Sequence, residues 1–96
     1  MNTKPVYPSQ QQLDKALKLY QAGRYDDAEK LLILTKEEFP ENQLCWELLG
    51  LIFRQTGRKA EALSANKKSV EINPSNAKAH YNLGVTLKQL GKLEQA

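Results

Sequence analysis

Residues 43–76 read QLCWELLGLIFRQTGRKAEALSANKKSVEINPSN. Gly50, Gly57, Ala62 and Pro74 of this stretch have identical residues elsewhere in the chain at a fixed distance. A separation of 34 residues relates four sets of small or rigid residues: Gly23, Gly57 and Gly91; Gly50 and Gly84; Pro40 and Pro74; Ala28, Ala62 and Ala96. A period of about 34 residues is typical of an array of helix–turn–helix repeats. Such an array indicates a scaffold for binding and makes an active site within the chain improbable.

The same periodic residues predict where helices end. Gly23, Gly57 and Gly91 each supply the left-handed residue that ends the first helix of a unit. Pro40 and Pro74 end the second helices, because proline cannot continue a helix. We therefore predict helices over residues 10–22, 25–39, 43–56, 59–72 and 77–90, with a sixth helix that has barely begun at the end of the chain.

The fold class follows from this order of helices. We expect an all-α, right-handed superhelical stack of antiparallel helix hairpins with about two and a half repeats. The repeats span residues 9–42, 43–76 and 77–96, the last one truncated, behind a disordered tail at residues 1–8. We interpret the chain as the N-terminal piece of a longer array, because its repeat pattern stops inside a unit.

The sequence also predicts where helices start and which residues lie at the contacts between helices. Ser9 and Gln12 have the spacing of a capping box, in which each side chain bonds the other residue's backbone amide. Asn42 and Asn76 are expected to cap the first helices of the second and third units. Small residues allow the two helices of a hairpin to approach closely, while larger residues fill the layer between them. The small set is Ala16, Gly50 and Gly84 with Ala28, Ala62 and Ala96, and the larger set is Leu19, Phe53 and Leu87.

Composition limits the partners that we expect. The net charge is +3, with lysines and acids interleaved along the chain. The residues closest to a basic stripe are Arg54, Arg58, Lys59, Lys67 and Lys68. We interpret them as solubilising charge rather than a phosphate-binding patch, and expect no nucleic-acid partner. The longest apolar run, residues 31–34, is too short to span a bilayer, so we expect no membrane partner and a cytoplasmic setting.

Cys45 and His80 are the residues most easily mistaken for a reactive site. A single cysteine excludes an internal disulfide, and one cysteine with one histidine cannot form a zinc site, so we expect no metal and no cofactor. Cys45 is expected to be a small buried thiol. His80 is equivalent to Trp46, and we expect a partly buried structural imidazole at that packing position. We therefore predict no catalytic residue and no enzymatic activity for this chain.

The chain resembles tetratricopeptide repeat proteins. The family pattern of a bulky residue, Leu-Gly, an aromatic residue or Leu, then Gly, Ala and Pro, is followed in the second unit by Trp46, Leu49, Gly50, Phe53, Gly57, Ala62 and Pro74. The third unit follows it with His80, Leu83, Gly84, Leu87, Gly91 and Ala96, and the first follows it more weakly. Asn66 and Ser69 depart from the aromatic residue and alanine of the pattern, which we expect to loosen the second hairpin locally.

The resemblance implies that the first helices line a concave groove that binds a peptide or partner protein. The residues expected to line it are Leu13, Leu17, Tyr20, Leu44, Glu47, Leu51, Arg54, Lys78, Tyr81, Asn82, Val85 and Lys88. The open alternative is that several of these leucines pack against neighbouring helices. An exposed apolar strip favours a protein partner.

Two related subfamilies suggest more specific partners. One subfamily binds the acidic tails of chaperones through a carboxylate clamp. The corresponding positions here are Leu13, Leu17, Leu51, Tyr81 and Val85. None of these side chains can hold a carboxylate, so we expect no chaperone-tail binding. The other is the repeat arm of O-linked N-acetylglucosamine transferases, whose groove carries a ladder of asparagines. Asn82 holds the ladder position, whereas the equivalent residues are Asp14 and Leu48.

Three interpretations of function stay open at this point. The first is a non-catalytic protein-binding scaffold, and the second is the substrate-recognition arm of a larger transferase whose catalytic domain lies beyond residue 96. The third is weak self-association through Leu83, Leu87 and Leu90 at the unfinished end of the array.

Overall fold

A computed structural model describes residues 8–95, which form five α-helices and no strand. The helices are α1 (Pro8–Gln21), α2 (Tyr25–Glu38), α3 (Gln43–Gln55), α4 (Lys59–Ile72) and α5 (Ala77–Gln95). Helices α1 and α2 pair as one hairpin and α3 and α4 as the next, while α5 packs on α4 and contacts α3. The all-α stack of helical hairpins predicted from the sequence is therefore confirmed.

The core lies where the two hairpins meet. It consists of small and aliphatic side chains from α1 to α4, as the scarcity of aromatic residues requires. Its buried members are Leu13, Ala16, Ala28, Leu32, Cys45, Leu48, Leu49, Ile52 and Ala65. Ala16 and Ala28 have no exposed surface, and neither has Ala62 in the second hairpin. The small side chains thus lie where the two helices of each hairpin approach each other, as the recurrence of alanine every 34 residues predicts.

Gly23 and Gly57 end α1 and α3 as predicted. Their φ angles are +79° and +81°, in the left-handed region that favours glycine. After each glycine the chain closes the turn on the preceding helix: Arg24 N donates to Leu19 O at 2.8 Å, and Arg58 N donates to Phe53 O at 2.8 Å. The two turns are therefore equivalent in geometry as well as in sequence.

The predicted helix end at Gly91 is wrong. Helix α5 continues through Gly91 to Gln95, and Gly91 does not have a positive φ. A helix break exposes backbone groups, and at Gly23 and Gly57 a following helix packs back and compensates for that loss. Glycine permits a helix to end there but does not require it, and the helical hydrogen bonds of α5 continue through Gly91.

The start of α1 also differs from the prediction. The helix begins at Pro8, so Ser9 lies inside it and the predicted capping box is wrong. Gln12 contacts α2 instead: Thr35 Oγ1 donates to Gln12 Oε1 at 2.7 Å. Of the tail predicted at residues 1–8, residues 1–7 lie outside the described part of the chain.

The two asparagine caps are confirmed. Asn42 Oδ1 accepts from Cys45 N at 3.2 Å at the start of α3. Asn76 Oδ1 accepts from Lys78 N at 2.9 Å at the start of α5. Both side chains satisfy amides that lack a partner within the helix.

Candidate protein-binding groove

Apolar side chains lie on the first helices of the three units. Tyr81 is 70% exposed and Leu17 is 37% exposed, while Leu51 and Val85 are half-buried. Leu17, Leu51 and Val85 hold equivalent positions on α1, α3 and α5, and α3 contacts both other helices. We name these three residues with Tyr81 the apolar floor. Leu44, 39% exposed, lies near the start of α3.

Leu13 does not belong to this surface. It is 2% exposed and lies in the core cluster with Ala16 and Leu32. The helical spacing of apolar residues on α1 places Leu13 against α2. At this position the alternative interpretation, that a leucine packs against a neighbouring helix, is therefore correct. Tyr20 is half-buried, and its ring lies 5.5 Å from that of Tyr25 across the first turn.

Glu47 is 5% exposed and belongs to a polar network at the start of α5. Its carboxylate accepts a hydrogen bond from Asn76 Nδ2 at 3.2 Å and lies 3.9 Å from Lys78 Nζ. Asn76 Nδ2 also donates to Gln43 Oε1 at 2.8 Å. The network joins α3 to α5, so Glu47 is too enclosed to contact a ligand directly, whereas Lys78 is exposed.

Arg54 joins the same two helices nearer their centres. Its Nη1 donates to Asn82 O and to Thr86 Oγ1, each at 3.4 Å. Asn82 is 5% exposed, and its Nδ2 is buried without a hydrogen-bond partner among the described residues. Lys88 on α5 is exposed. Of the three cations predicted to line the groove, Lys78 and Lys88 are therefore exposed, and Arg54 is half-buried.

The basic residues of the second hairpin do not form a free stripe. Arg58 donates two hydrogen bonds to the Glu29 carboxylate of α2, one of them 3.0 Å long, and these bonds raise the arginine pKa. Lys68 Nζ lies 3.6 Å from Glu41 and 3.4 Å from Glu71. These pairs connect helices or neighbouring turns, in keeping with the interpretation as ordinary surface charge.

Trp46 and His80 make the same contact in successive units. Trp46 Nε1 donates to Pro40 O at 2.8 Å, and His80 Nε2 donates to Pro74 O at 2.6 Å. Each ring thus ties the start of a first helix to the preceding proline. The predicted partial burial of His80 is wrong, because the imidazole is exposed. The larger indole packs against the core and beneath Lys36, whereas the smaller ring makes its hydrogen bond from the surface.

Cys45 is fully buried, as predicted. Its Sγ donates to Leu32 O at 3.2 Å, and burial raises the pKa of the thiol to about 11 against an opposing effect of Lys36. Burial and the raised pKa both favour the neutral thiol over the nucleophilic thiolate at neutral pH. Within the described part of the chain, no three His, Cys, Asp or Glu side chains come together to hold a metal ion.

One series of polar residues was missed by the sequence reasoning. Gln21, Gln55 and Gln89 are identical at equivalent positions of all three units. Gln21 and Gln55 are exposed, and Gln89 is half-buried. A position-by-position comparison of the three units would have found them, because an exposed residue repeated in every unit has no packing role to explain it.

Comparison with known proteins identifies the family. Residues 13–77 match the tetratricopeptide repeat, and residues 65–96 match a second model of the same repeat. The chain belongs to the tetratricopeptide repeat family. Tetratricopeptide repeats are typical protein-interaction modules.

Three similar proteins place this repeat array in different contexts. The peroxisomal targeting signal receptor of Saccharomyces cerevisiae is 29% identical over 80 residues, which is 69% of this chain and 13% of the receptor. A variant of Thermobaculum terrenum O-GlcNAc transferase superposes with a TM-score of 0.87 at 26% identity, over 99% of this chain and 18% of that one. A MamA variant superposes with a TM-score of 0.78 at 27% identity, over 95% of this chain and 66% of that one. The chain therefore spans a small part of the receptor and of the transferase. None of its described helices is long and apolar enough to cross a membrane.

Proposed function

We propose that this chain is a non-catalytic scaffold whose groove along α1, α3 and α5 binds a segment of a partner protein in a cytoplasmic setting. The observation that carries the proposal is the apolar floor, in which Tyr81 is 70% and Leu17 37% exposed, on first helices that both contact α3. Exposed apolar surface of this kind is typical of sites for protein partners, because covering it releases water. The receptor similarity supports the same class of function.

The groove residues divide by role in this proposal. Leu17, Leu51, Tyr81 and Val85 contact apolar side chains of the partner, with Leu44 extending that surface. Lys78 and Lys88 contact its polar or acidic groups at the margin, and Tyr20 flanks the floor. Glu47, Arg54 and Asn82 hold α5 against α3, so they position the groove and do not contact the ligand directly. A two-carboxylate clamp is not part of the proposal, because apolar residues occupy its positions.

Two substitutions on the apolar floor test this function. Partners that co-purify with the full-length protein from its source organism are identified first, and their binding to the variants is then titrated by calorimetry. We expect Leu51→Arg to abolish binding and Tyr81→Ala to weaken it about tenfold, since each removes apolar contact area. Leu34→Arg is the matched control, because Leu34 is 59% exposed on α2, outside the groove.

Circular dichroism separates a lost groove from a lost fold. The helical signal of Leu51→Arg should match that of the unsubstituted chain, and a reduced signal would show that Leu51 is required for packing. Tyr81→Ala guards against that outcome because its side chain is largely exposed. Unchanged partner binding by Tyr81→Ala and Leu51→Arg would contradict the proposal.

A second candidate function is the substrate-recognition arm of a larger transferase. It is favoured by the superposition on the O-GlcNAc transferase structure. The sequence that follows residue 96 in the gene distinguishes the two candidates. Further 34-residue units leading into an α/β pattern would favour the transferase arm, whereas a stop soon after the array would favour the scaffold.

A further inference from the structure

Equivalent positions lie where α3 packs on α2 and where α5 packs on α4, but the two interfaces carry different side chains. The α2/α3 interface has Leu32, Thr35, Cys45, Leu48 and Ile52, and the α4/α5 interface has their counterparts 34 residues later, Asn66, Ser69, Ala79, Asn82 and Thr86. None of these side chains is more than 5% exposed. The first interface therefore encloses mainly apolar groups and the second mainly polar ones, at the same degree of burial.

Hydrogen bonding also differs between the two interfaces. At the α2/α3 interface the Thr35 hydroxyl donates to Gln12 Oε1 at 2.7 Å. At the α4/α5 interface Thr86 Oγ1 donates to Asn66 Oδ1, but Ser69 Oγ and Asn82 Nδ2 are buried with no partner among the described residues. Each of these two groups loses a bond that water provides when α5 is undocked, so burying it opposes docking.

The contacts that remain align α5 without holding it strongly. The described members of the apolar core cluster come from α1 to α4. The contacts of α5 with α3 are polar: Arg54 Nη1 donates to Asn82 O and Thr86 Oγ1, each at 3.4 Å, and Asn76 Nδ2 donates to Gln43 Oε1. Such bonds replace bonds to water and add little net stability. They fix where α5 docks more than how tightly it does so.

A detached α5 does not keep its helical form. Most of the stability of a helix in a protein comes from packing, and Gly84 and Gly91 each lower the helix propensity of α5 further. Undocking therefore exposes the backbone amides of α5 to solvent. The remaining helices keep their partners, because α4 stays paired with α3 and α2 with α1.

We propose that α5 detaches from α4 and unfolds as a unit while α1 to α4 stay folded, which gives the groove one movable wall. Tyr81 and Val85 leave the apolar floor in the detached state, whereas Leu17 and Leu51 remain in place. A partner segment that contacts Tyr81 or Val85 binds the docked state and shifts the equilibrium toward it. This coupling to a partner rests on the proposed function, whereas the detachment itself does not.

Native-state hydrogen exchange of the 96-residue chain, followed by NMR, tests the detachment. We expect the protection factors of residues 85–87 in α5 to be at least about tenfold below those of the equivalent residues 51–53 in α3, given the two unpaired buried groups. Dilute urea should accelerate exchange in α5 less steeply than in α3, because detaching one helix exposes less surface than global unfolding. Equal protection and equal urea slopes in the two helices would overturn the proposal.

Exchanging the side chains of the two interfaces tests the cause. The triple variant Asn66→Leu, Asn82→Leu, Thr86→Ile gives the α4/α5 interface the residues of the α2/α3 interface, and we expect it to raise protection in α5 at least about tenfold. Lys67→Leu is the matched control, because it adds an apolar side chain to α4 at an exposed position and should leave that protection unchanged.

Ser69→Ala is a milder variant that does not depend on repacking. It removes one unpaired hydroxyl and should raise protection in α5 at least about fivefold. A gain in the triple variant or in Ser69→Ala, with none in Lys67→Leu, supports the polar interface as the cause of detachment. Unchanged protection in both variants would overturn it.

Exchange in the complex separates this inference from the proposed function. With a partner identified by the co-purification above, exchange in α5 should slow in proportion to the ratio of free partner to its dissociation constant. If the partner binds but α5 exchange does not change, the coupling is overturned and the detachment stands. If Leu51→Arg and Tyr81→Ala bind the partner normally, the groove is contradicted, while the exchange of the free chain still decides whether α5 detaches.

Discussion

Asn66 shows how one polar side chain can replace an apolar one in a repeat. It is fully buried on α4, where related repeats carry an aromatic residue, and Thr86 Oγ1 of α5 donates to its Oδ1 at 2.5 Å. The hydrogen bond satisfies a group that would otherwise be costly to bury. The expected loosening of the second hairpin is therefore not seen at Asn66, whereas Ser69 Oγ is buried without a partner among the described residues.

Asn66 also explains why Gly50 has to be glycine. A Cβ at position 50 would lie 2.5 Å from Asn66 Nδ2, and the buried asparagine cannot move away without losing its bond to Thr86. We expect Gly50→Ala to lower the free energy of unfolding by about 1–3 kcal/mol, because overpacking outweighs the gain in helix propensity. Urea unfolding followed by circular dichroism measures the change.

Gly84 provides the control, because it holds the equivalent position on α5. Nothing lies within 4 Å of a Cβ there, so Gly84→Ala should raise the free energy of unfolding by up to about 1 kcal/mol. The same substitution at equivalent positions thus has opposite signs. Two equal losses of stability would contradict the role given to Asn66.

At the level of helices, Gly57 and Gly91 are equivalent in sequence and different in structure. Gly57 has a φ of +81° at the end of α3, where an alanine would be strained, so Gly57→Ala should cost about 1–2 kcal/mol of unfolding free energy. Gly91 lies within α5, where an added Cβ would have no neighbour within 4 Å, and Gly91→Ala should stabilise the helix by about 0.5–1 kcal/mol. Thermal and urea unfolding of both variants measure the pair, and destabilisation by Gly91→Ala would show a helix break there.

Local chemistry explains which helix ends could be predicted from the sequence. The boundaries of α2, α3 and α4 follow from Gly23, Gly57 and the proline after each second helix, and they agree with the structure to within one residue. Gly91 has the same local sequence signal, yet α5 continues through it to Gln95. Glycine permits a helix to end but does not require it, so the local signal alone does not decide this helix end.

The groove was less predictable than the fold for a related reason. Helical period places Leu13 and Leu17 on overlapping faces of α1, yet contact with α2 buries only Leu13. Glu47 looks like a surface acid in sequence, but Asn76 and Lys78 at the start of α5 enclose it. The sequence therefore predicted the helices that carry the candidate groove residues, while the exposure of each residue depends on packing between units.

At the scale of the whole molecule, the two ends of the stack differ. The side of α1 equivalent to the buried Cys45, Leu48 and Ile52 of α3 carries polar residues, and all of them are exposed: Gln11, Asp14 and Lys18. The α5 end is apolar, with Leu87 48% exposed and Leu83 and Leu90 half-buried. Polar residues at one end keep that hairpin compatible with water, whereas the other end has uncovered leucines.

We expect this asymmetry to cause weak self-association of the 96-residue chain through Leu83, Leu87 and Leu90. Covering these side chains gains little area, and the net charge of +3 opposes the approach of two copies, so we expect a dissociation constant near millimolar, about −4 kcal/mol. Added salt should strengthen the association because it screens that repulsion. Sedimentation equilibrium from micromolar to millimolar protein measures it, with Leu87→Lys as the disrupting variant and Leu34→Lys as the control at an exposed leucine of α2. Association that persists in Leu87→Lys would place the contact elsewhere, and a strictly monomeric chain at millimolar concentration would show that these leucines do not hold two copies together.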